Sequence, residues 1–333
     1  MEALECRKLG DPTIPPDSSQ NSPLTVSKSY PIPKLISSTS IRVRINYTSL
    51  NYATYLQVLG KYQEKLPPPF VLGSDYSGVV ESIGSNVTKF KIGDPVCSSA
   101  AKGSFAQFIV AEENELFGVP DGCDLVAAAA IPLAYGTSHQ ALLHRANLRS
   151  GQLFKSERFV VRLSLPGSKK VEFLKSVGAD HVVDLSNGGM IKSVKAFLRG
   201  KKLKGVDVLY DPVGGKLTKE SMKLLNWGAQ ILIIGFASDE VPLIPANIAL
   251  VKNWTIHGFY WGNYEAIKAG GIEESVKELL SWLARGLITI HIYHSYKLQE
   301  VNLAFLDIKE RKVIGKVMIT STSTSTSTST SRL

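Results

Sequence analysis

The rhythm of apolar and polar positions changes near residue 126. Before it, "IRVRINYTSL" (41–50) sets Ile41, Val43 and Ile45 on one side and Arg42 and Arg44 on the other, the period of a half-buried strand. "YSGVVESIG", "DPVCSSA" and "FAQFIVAEENELFGVP" continue as short strands split by Gly, Asp and Pro, and the Pro- and Ser-rich stretch 11–40 reads as loops between short strands. After it, the alanine-rich "DLVAAAAIPLAYGTSHQALLHRA" is a good helix former. Helix and strand then alternate. "KKVEFLKSVGAD" carries an apolar stripe at Val171, Leu174 and Val177 with Gly178 as a stop, followed by strand "HVVDL", helix "MIKSVKAFLRG", strand "GVDVLYD", helix "LTKESMKLLNWG" and strands "AQILIIGF" and "WTIHGF". Such alternation predicts a parallel sheet covered by helices on both faces, an α/β arrangement. A later helix has a core-facing stripe at Val276, Leu279, Leu280 and Leu283, and strand material follows it. The end, "TSTSTSTSTSTSRL", has nothing with which to bury a core and reads as a disordered tail.

Composition narrows the class. The 333 residues are 44% apolar, enough for a substantial core, and contain no run of ~18 apolar residues that would span a membrane. The opening "MEALECRKLGDP" is charged early and has no apolar signal region. Cys6, Cys97 and Cys123 are far apart and suit free thiols in a reducing compartment, so the N-x-S/T matches at Asn46, Asn86 and Asn253 are fortuitous. The net charge of +9 comes from basic residues spread along the chain. With no arginine-rich block or aromatic RNA motif, nucleic acid is not an expected partner. A solvated basic surface that helps a phosphorylated cofactor approach fits better.

Several segments together carry a resemblance: "SLNYATYLQVLGKY", "VLGSDYSGVVESIGSNVTKFKIGDPV", "SFAQFIVAEENELFGVP", "AAAAIPLAYGTSHQAL", "VEFLKSVGADHVVDL", "GVDVLYDPVGG" and "AQILIIGFASDEVPLIPANIALVKN". In order and spacing they resemble the medium-chain dehydrogenase/reductase superfamily, and within it the zinc-free quinone oxidoreductase branch, over roughly residues 1–319. The resemblance implies a GroES-like substrate domain over 1–126, a Rossmann cofactor domain over 127–262, a segment 263–319 that returns to the first domain, and the tail 320–333. It also implies NADPH, a small quinone or α,β-unsaturated carbonyl substrate, and a homodimer built by extending the Rossmann sheets edge to edge.

Zinc is not expected. "GSDYSG" puts Ser74 where zinc members of the superfamily carry His, "LNYATY" stands where they carry a catalytic Cys, and three scattered Cys offer no ligand cluster. His291 and His294, three apart in a strand-like run, should point to opposite faces. Substrate polarisation then falls to hydrogen-bond donors. By position, the resemblance makes Asn51 and Tyr62 the catalytic candidates: the Asn51 amide holds cofactor or substrate oxygen, and the Tyr62 phenol donates to the developing enolate or hydroquinone oxygen. Turn and packing roles are the competing readings of the two. Asn51 also belongs to the cofactor set, with Thr137 at the nicotinamide end, Gly214, Gly235 and Phe236 at strand ends, Arg311 from the returning segment, and Lys169 and Lys170 facing a 2′-phosphate.

The resemblance breaks at one place. The family runs strand, glycine-rich turn, helix, strand before the equivalent of "VEFLKSVGAD", whereas only about twenty residues separate Gly151 from Lys170, and no G-x-G-x-x-G occurs anywhere. The expected Rossmann-type doubly wound parallel sheet therefore lacks one strand-turn-helix unit. "FVVRLSL" is expected to slide into the vacated central slot, with Ser168 as N-cap of the following helix. Two readings follow: an NADPH-dependent quinone/enone reductase, or a non-catalytic dimeric relative or aberrant splice or gene-model form with impaired NADPH binding. The last residues, "SRL", resemble the S-K-L address read by the peroxisomal import receptor, so peroxisomal placement is expected, with cytoplasm as the alternative.

Overall fold

The computed structural model describes residues 1–100, 102–148, 161–164 (backbone alone), 167–263 and 270–320. The chain divides into two compact units. One is Met1–Leu133 joined by the segment from Val276 onward, the other Ala134–Ser275. The first unit thus reaches Leu133, and the return begins at Val276, where sequence alone placed these changes at 126 and 263.

The first unit is mostly β. Its main sheet runs Ile292–Lys297, Lys316–Thr320, Ser40–Leu50, Asp75–Ile83, Pro95–Ser99, Phe117–Gly118, and Phe108–Glu112 also pairs with Ser40–Leu50. A smaller sheet orders Leu24–Ser27, Ala3–Cys6, Phe70–Val71. The alternation in 41–45 does what it predicts: Ile41, Val43 and Ile45 are buried with Tyr76, Val80 and Val96 in one core. Beyond Ile45 the alternation stops because the strand is covered on both faces, and Thr48, Ser49 and Leu50 are all buried. A second core joins Leu4, Val58 and Leu72 to Val301, Phe305 and Val317, so the chain's two ends share one apolar interior. Each such side chain contributes about 1.5–3 kcal/mol.

The returning segment closes the sheet. Lys316–Thr320 pairs antiparallel with Ser40–Leu50, from Val317 opposite Leu50 to Thr320 opposite Tyr47. Two turns aim it. Arg311 sits in the left-handed region (φ 58) at the end of helix Val301–Lys309, with its N–H on Ile308 O and the N–H of Lys312 on Asp307 O. Gly315 (φ +97) passes so close to His291 that a Cβ would lie 2.2 Å from the His291 carbonyl oxygen.

The second unit is α/β and its described strands form two parallel ladders. Val161–Ser164 pairs with His181–Asp184, and Val206–Asp211, Leu225–Ile233 and Thr255–Gly258 form the other. Val161–Ser164 thus takes the place beside His181–Asp184 expected of it, and among the described residues it has no ladder with Val206–Asp211. Residues 151–160, 165 and 166, which include the rest of "FVVRLSL", lie outside the described residues. Ser168 is the first residue of helix Ser168–Ser176 rather than its cap. Gly167 occupies that position with φ 133 and no side-chain cap. Gly178 stops the helix as expected (φ 87), but the apolar stripe is not a core face: Val177 is 50% exposed, and the helix buries no residue fully. "LTKESMKLLNWG" also divides. The helix is Gly215–Ser221, a tight turn follows at Met222–Leu224, and Leu225 already belongs to the next strand.

The alanine run does not make one regular helix. Asp124 caps Leu125–Ala129 by accepting the Val126 N–H, and wide π-type turns then occupy Ile131–Tyr135 and Gln140–Arg145 on either side of Gly136–His139. Pro132 supplies no N–H to the ladder. Gly136 lies under the Trp261 ring, where a Cβ would fall 2.4 Å from the indole. Among the described residues, no helix is long and apolar enough to cross a membrane.

Gly315→Ala should destabilise the protein by about 2–3 kcal/mol, through its positive φ and its contact with His291. Urea unfolding measures it, and an unchanged midpoint contradicts this account of the turn.

Candidate functional site

In the first unit, three adjacent strand ends gather a polar row. The ladder places Val317 opposite Leu50 and Tyr76 opposite Thr48. Continuing by one step sets Lys316 beside Asn51 and Asp75 beside Ser49, and the two-residue period turns Ser49 and Asn51 to one face. The side chains meet there. Lys316 Nζ donates to Asn51 Oδ1 (2.6 Å), Asn51 Nδ2 donates to Asp75 Oδ1 (2.7 Å), and Ser49 Oγ donates to the same carboxylate oxygen (2.8 Å). On the other side Thr48 Oγ1 lies 2.6 Å from both the Asp75 carbonyl oxygen and Ser104 Oγ. Gly73 (φ +87) turns the chain into this row, in space where a Cβ would meet Phe105 and Ser104.

Asp75 is 0% exposed, and Asn51 and Lys316 are half-buried. Burial pushes the Asp75 carboxyl above its ordinary range, while the Lys316 ammonium and the bonds from Ser49 and Asn51 pull it back. Burial pushes Lys316 down, against the attraction of Asp75. Asp75 Oδ2 has no hydrogen-bond partner among the described residues.

An ammonium stands against Asn51 in this row, and the atoms bonded there come from amide, hydroxyl and carboxylate groups. Burial pushes the Cys6 thiol up to about 11 and raises Cys97 and Cys123.

Tyr62 sits on the turn after helix Tyr52–Val58, its N–H on Leu56 O, and lines a small groove with Leu9, Gln57, Gly60, Glu64 and Leu66. Asn51 is not part of that lining. Arg311, exposed, is accounted for by the left-handed turn described above.

In the second unit, Gly214, Gly235 and Phe236 come together at the ends of two neighbouring strands. Asp211 organises them: Oδ1 accepts the N–H groups of Val213 (3.0 Å) and Gly214 (2.9 Å), and Oδ2 accepts from the Thr218 hydroxyl. The facing loop is tied across by Ala237 N–H to Pro212 O and Ser238 N–H to Val213 O. A Cβ on Gly214 would meet Glu240 O at 2.6 Å and Phe236 Cδ1 at 3.1 Å. The neighbouring loop therefore lies against the side of this glycine where a Cβ would point. Thr137 is half-buried in Gly136–His139, beside Ser138, whose hydroxyl lies 2.8 Å from the Tyr210 phenol. Lys169 and Lys170 lie in the first turn of Ser168–Ser176, where Lys169 is exposed and Lys170 half-buried. A dinucleotide would find a helix N-terminus at Gly167 and strand ends at Gly214 and Gly235, but no G-x-G turn.

Sequence reasoning missed Asp75, Lys316, Ser49, Asp211 and Thr218. Asp75 directly follows Ser74 in "GSDYSG". Lys316 has a weak signal, a Gly-Lys pair opening the last apolar run.

Comparison with known proteins agrees with the architecture. The family described as "Alcohol dehydrogenase GroES-like domain" matches residues 37–121, and the one described as "Zinc-binding dehydrogenase" matches 177–319. Quinone oxidoreductase-like protein 2 homolog of Nematostella vectensis is 32% identical over 338 residues, covering 96% of this chain and 88% of that protein. Quinone oxidoreductase-like protein 2 of Rattus norvegicus is 31% identical, covering 90% and 89%. The solved structure of Escherichia coli quinone oxidoreductase complexed with NADPH superposes with a TM-score of 0.81 at 19% identity, covering 96% of this chain and 100% of that one.

Asp211→Ala should lower the unfolding free energy by about 2–4 kcal/mol, because the amides of Val213 and Gly214 lose a charged acceptor. Asp211→Asn, which keeps one acceptor oxygen, should cost less. Equal midpoints for Ala and wild type in urea would contradict the assignment.

Proposed function

Because the chain belongs to the medium-chain dehydrogenase/reductase superfamily, alongside the quinone oxidoreductase-like proteins, we propose that it is an NADPH-dependent reductase of quinones or α,β-unsaturated carbonyls that works without zinc. The observation that carries this reading is the row Lys316–Asn51–Asp75, at the position where the resemblance places a zinc enzyme's catalytic Cys. NADPH, when bound, supplies the hydride. Asn51 orients the reacting groups with an amide whose two ends are fixed by opposite charges, and Tyr62 donates its phenolic proton to the oxygen on which charge develops. Thr137, Gly235 and Phe236 are assigned to the nicotinamide side, Lys169 and Lys170 to the 2′-phosphate.

The pyrophosphate is the weak point. An intact glycine turn gives several backbone N–H bonds to a charged group, each worth roughly 1.5–3 kcal/mol. With no G-x-G in the sequence, NADPH binding is proposed to be weaker than in a family member that has the turn. A homodimer remains part of the proposal. Ile256 on the terminal strand Thr255–Gly258 is 44% exposed, and Leu250 and Val251 on the preceding helix Ala246–Lys252 are 77% and 64% exposed, an apolar edge suited to a second copy.

The direct test is NADPH oxidation by the purified full chain with a quinone and with an enone, before and after dialysis against a chelator. Turnover that survives dialysis in metal-free protein is expected. Stoichiometric zinc that resists dialysis, with activity lost on its removal, would overturn the zinc-free part, and no turnover with either acceptor would favour the non-catalytic reading. Tyr62→Phe should lower kcat by about tenfold or more with a smaller effect on KM, the signature of a donor that strengthens in the transition state. An unchanged kcat reduces Tyr62 to packing.

Peroxisomal placement rests on the terminal Ser-Arg-Leu alone. A fluorescent fusion ending in these residues should become punctate and depend on the import receptor. A diffuse signal, while a fusion ending in Ser-Lys-Leu is imported, counts for the cytoplasm.

A further inference from the structure

We propose that Lys316 and Asp75 act as a positioning pair that clamps the amide of Asn51 in a single orientation, and that Lys316 presents its remaining ammonium N–H groups to the ligand that Asn51 touches. The inference rests on the reading of Asn51 as a cofactor contact. It adds two residues that the sequence reading did not assign to the site.

The geometry is specific. An amide between two neutral groups can flip, because its oxygen and nitrogen ends are alike in shape. Here the ends are told apart by charge: the ammonium can only donate, and the ionised carboxylate can only accept. Oδ1 must face Lys316 (2.6 Å) and Nδ2 must face Asp75 (2.7 Å). Among the described residues, the second Nδ2 hydrogen has Ser49 nearby, at 3.4–3.5 Å. Asp75 is fully buried and takes no partner on Oδ2 among the described residues, and its Oδ1 accepts from both Asn51 and Ser49, which fixes that oxygen as the acceptor facing the amide.

The donor count sets what a ligand would meet. Lys316 Nζ carries three hydrogens and makes one side-chain hydrogen bond among the described residues, to Asn51. Asn51 Oδ1 has a second lone pair. A group that reaches this strand end therefore finds one fixed acceptor beside two donors from a cation. That combination suits a carboxamide or hydroxyl next to an anionic oxygen, both of which a nicotinamide dinucleotide carries. It fits a bare hydrocarbon poorly.

Register explains why these two residues serve. Asn51, Asp75 and Lys316 stand at the same end of three adjacent strands, and Lys316 reaches its place through the Gly315 turn against His291. Arg311 lies before that turn, exposed and in the loop. The basic group that the returning segment delivers to Asn51 is thus Lys316.

The test has two arms on the full chain. In the first, the side-chain amide signals of 15N-labelled Asn51 are followed without ligand, with Asn51→Ala used for assignment. In wild type the two Nδ2 protons should be widely separated, one of them shifted by the carboxylate. Lys316→Met and Asp75→Asn should each reduce the separation, and Lys316→Arg should preserve it. In the second, NADPH is titrated by fluorescence. Lys316→Met should weaken binding about tenfold or more, the size of one lost charge-assisted bond, and Lys316→Arg should stay within about threefold of wild type. If a single variant fails to fold because it strands a buried charge, the double variant Asp75→Asn with Lys316→Met removes both charges and is measured in its place. Amide signals that do not respond to Lys316→Met or Asp75→Asn overturn the clamp. Responding signals with unchanged NADPH affinity overturn the role in binding. If wild type itself fails to bind NADPH while the amide signals respond, the clamp stands and the cofactor reading fails, so the two failures are told apart.

Discussion

A carboxylate that water does not reach must be compensated by the protein, and much of the first unit is arranged around that requirement at Asp75. Ser49 and Asn51 approach because the strand Ser40–Leu50 runs beside it in a fixed register, and Lys316 approaches because the last strand pairs on the other side. Gly73 and Gly315 lack side chains because the turns on either side leave no room for a Cβ. A one-residue slip in either ladder would turn the row to the opposite face and leave the charge alone, an error of roughly 3–5 kcal/mol. The polar row thus constrains the register of three strands as firmly as the apolar cores do.

The second unit is organised differently. Its order comes from loop-to-loop bonds at the ends of parallel strands, with Asp211 tying Val213, Gly214 and Thr218 into one turn and the facing loop fastened to Pro212 and Val213. The ladder that contains these strands is separate, among the described residues, from the pair Val161–Ser164 and His181–Asp184. The helix beside that pair, Ser168–Ser176, covers it with half-exposed side chains.

What could be read in advance follows from the range of the interactions. Local rules located Ile41, Val43 and Ile45 correctly because alternation reports one buried face, and they found helix Met190–Gly200 because its apolar spacing is regular. Gly178 was legible as a helix stop, while Arg311, in the same left-handed position, was not, since its residue type argues against it. The alanine run misled because its turns are interrupted by wide π-type segments around Pro132 and Gly136, and the packing of Trp261 on Gly136 is not visible locally. Val177 fits an apolar stripe, yet periodicity does not say whether anything lies opposite it. Lys316 and Asn51 are 265 residues apart, and no local pattern links them. Gly214 was legible as a constrained glycine, but not the Glu240 carbonyl that lies against it, which comes from a loop further along the chain.

The strand Ser40–Leu50 has one flank paired in halves by different parts of the chain. Phe108–Glu112 covers Ser40–Arg44, and Lys316–Thr320 covers Tyr47–Leu50. The first partner is made soon after the strand itself, the second only at the end of the chain. Val317 follows its partner Leu50 by 267 positions, which at roughly 5–20 residues per second is about 13–53 seconds of synthesis. During that interval the edge from Tyr47 to Leu50 has no permanent neighbour, and Asn51 and Asp75 are without their cation. An unpaired strand edge is a template for other chains. The late arrival of one short strand therefore makes the nascent first unit most vulnerable to mispairing at the same few residues that later form the polar row.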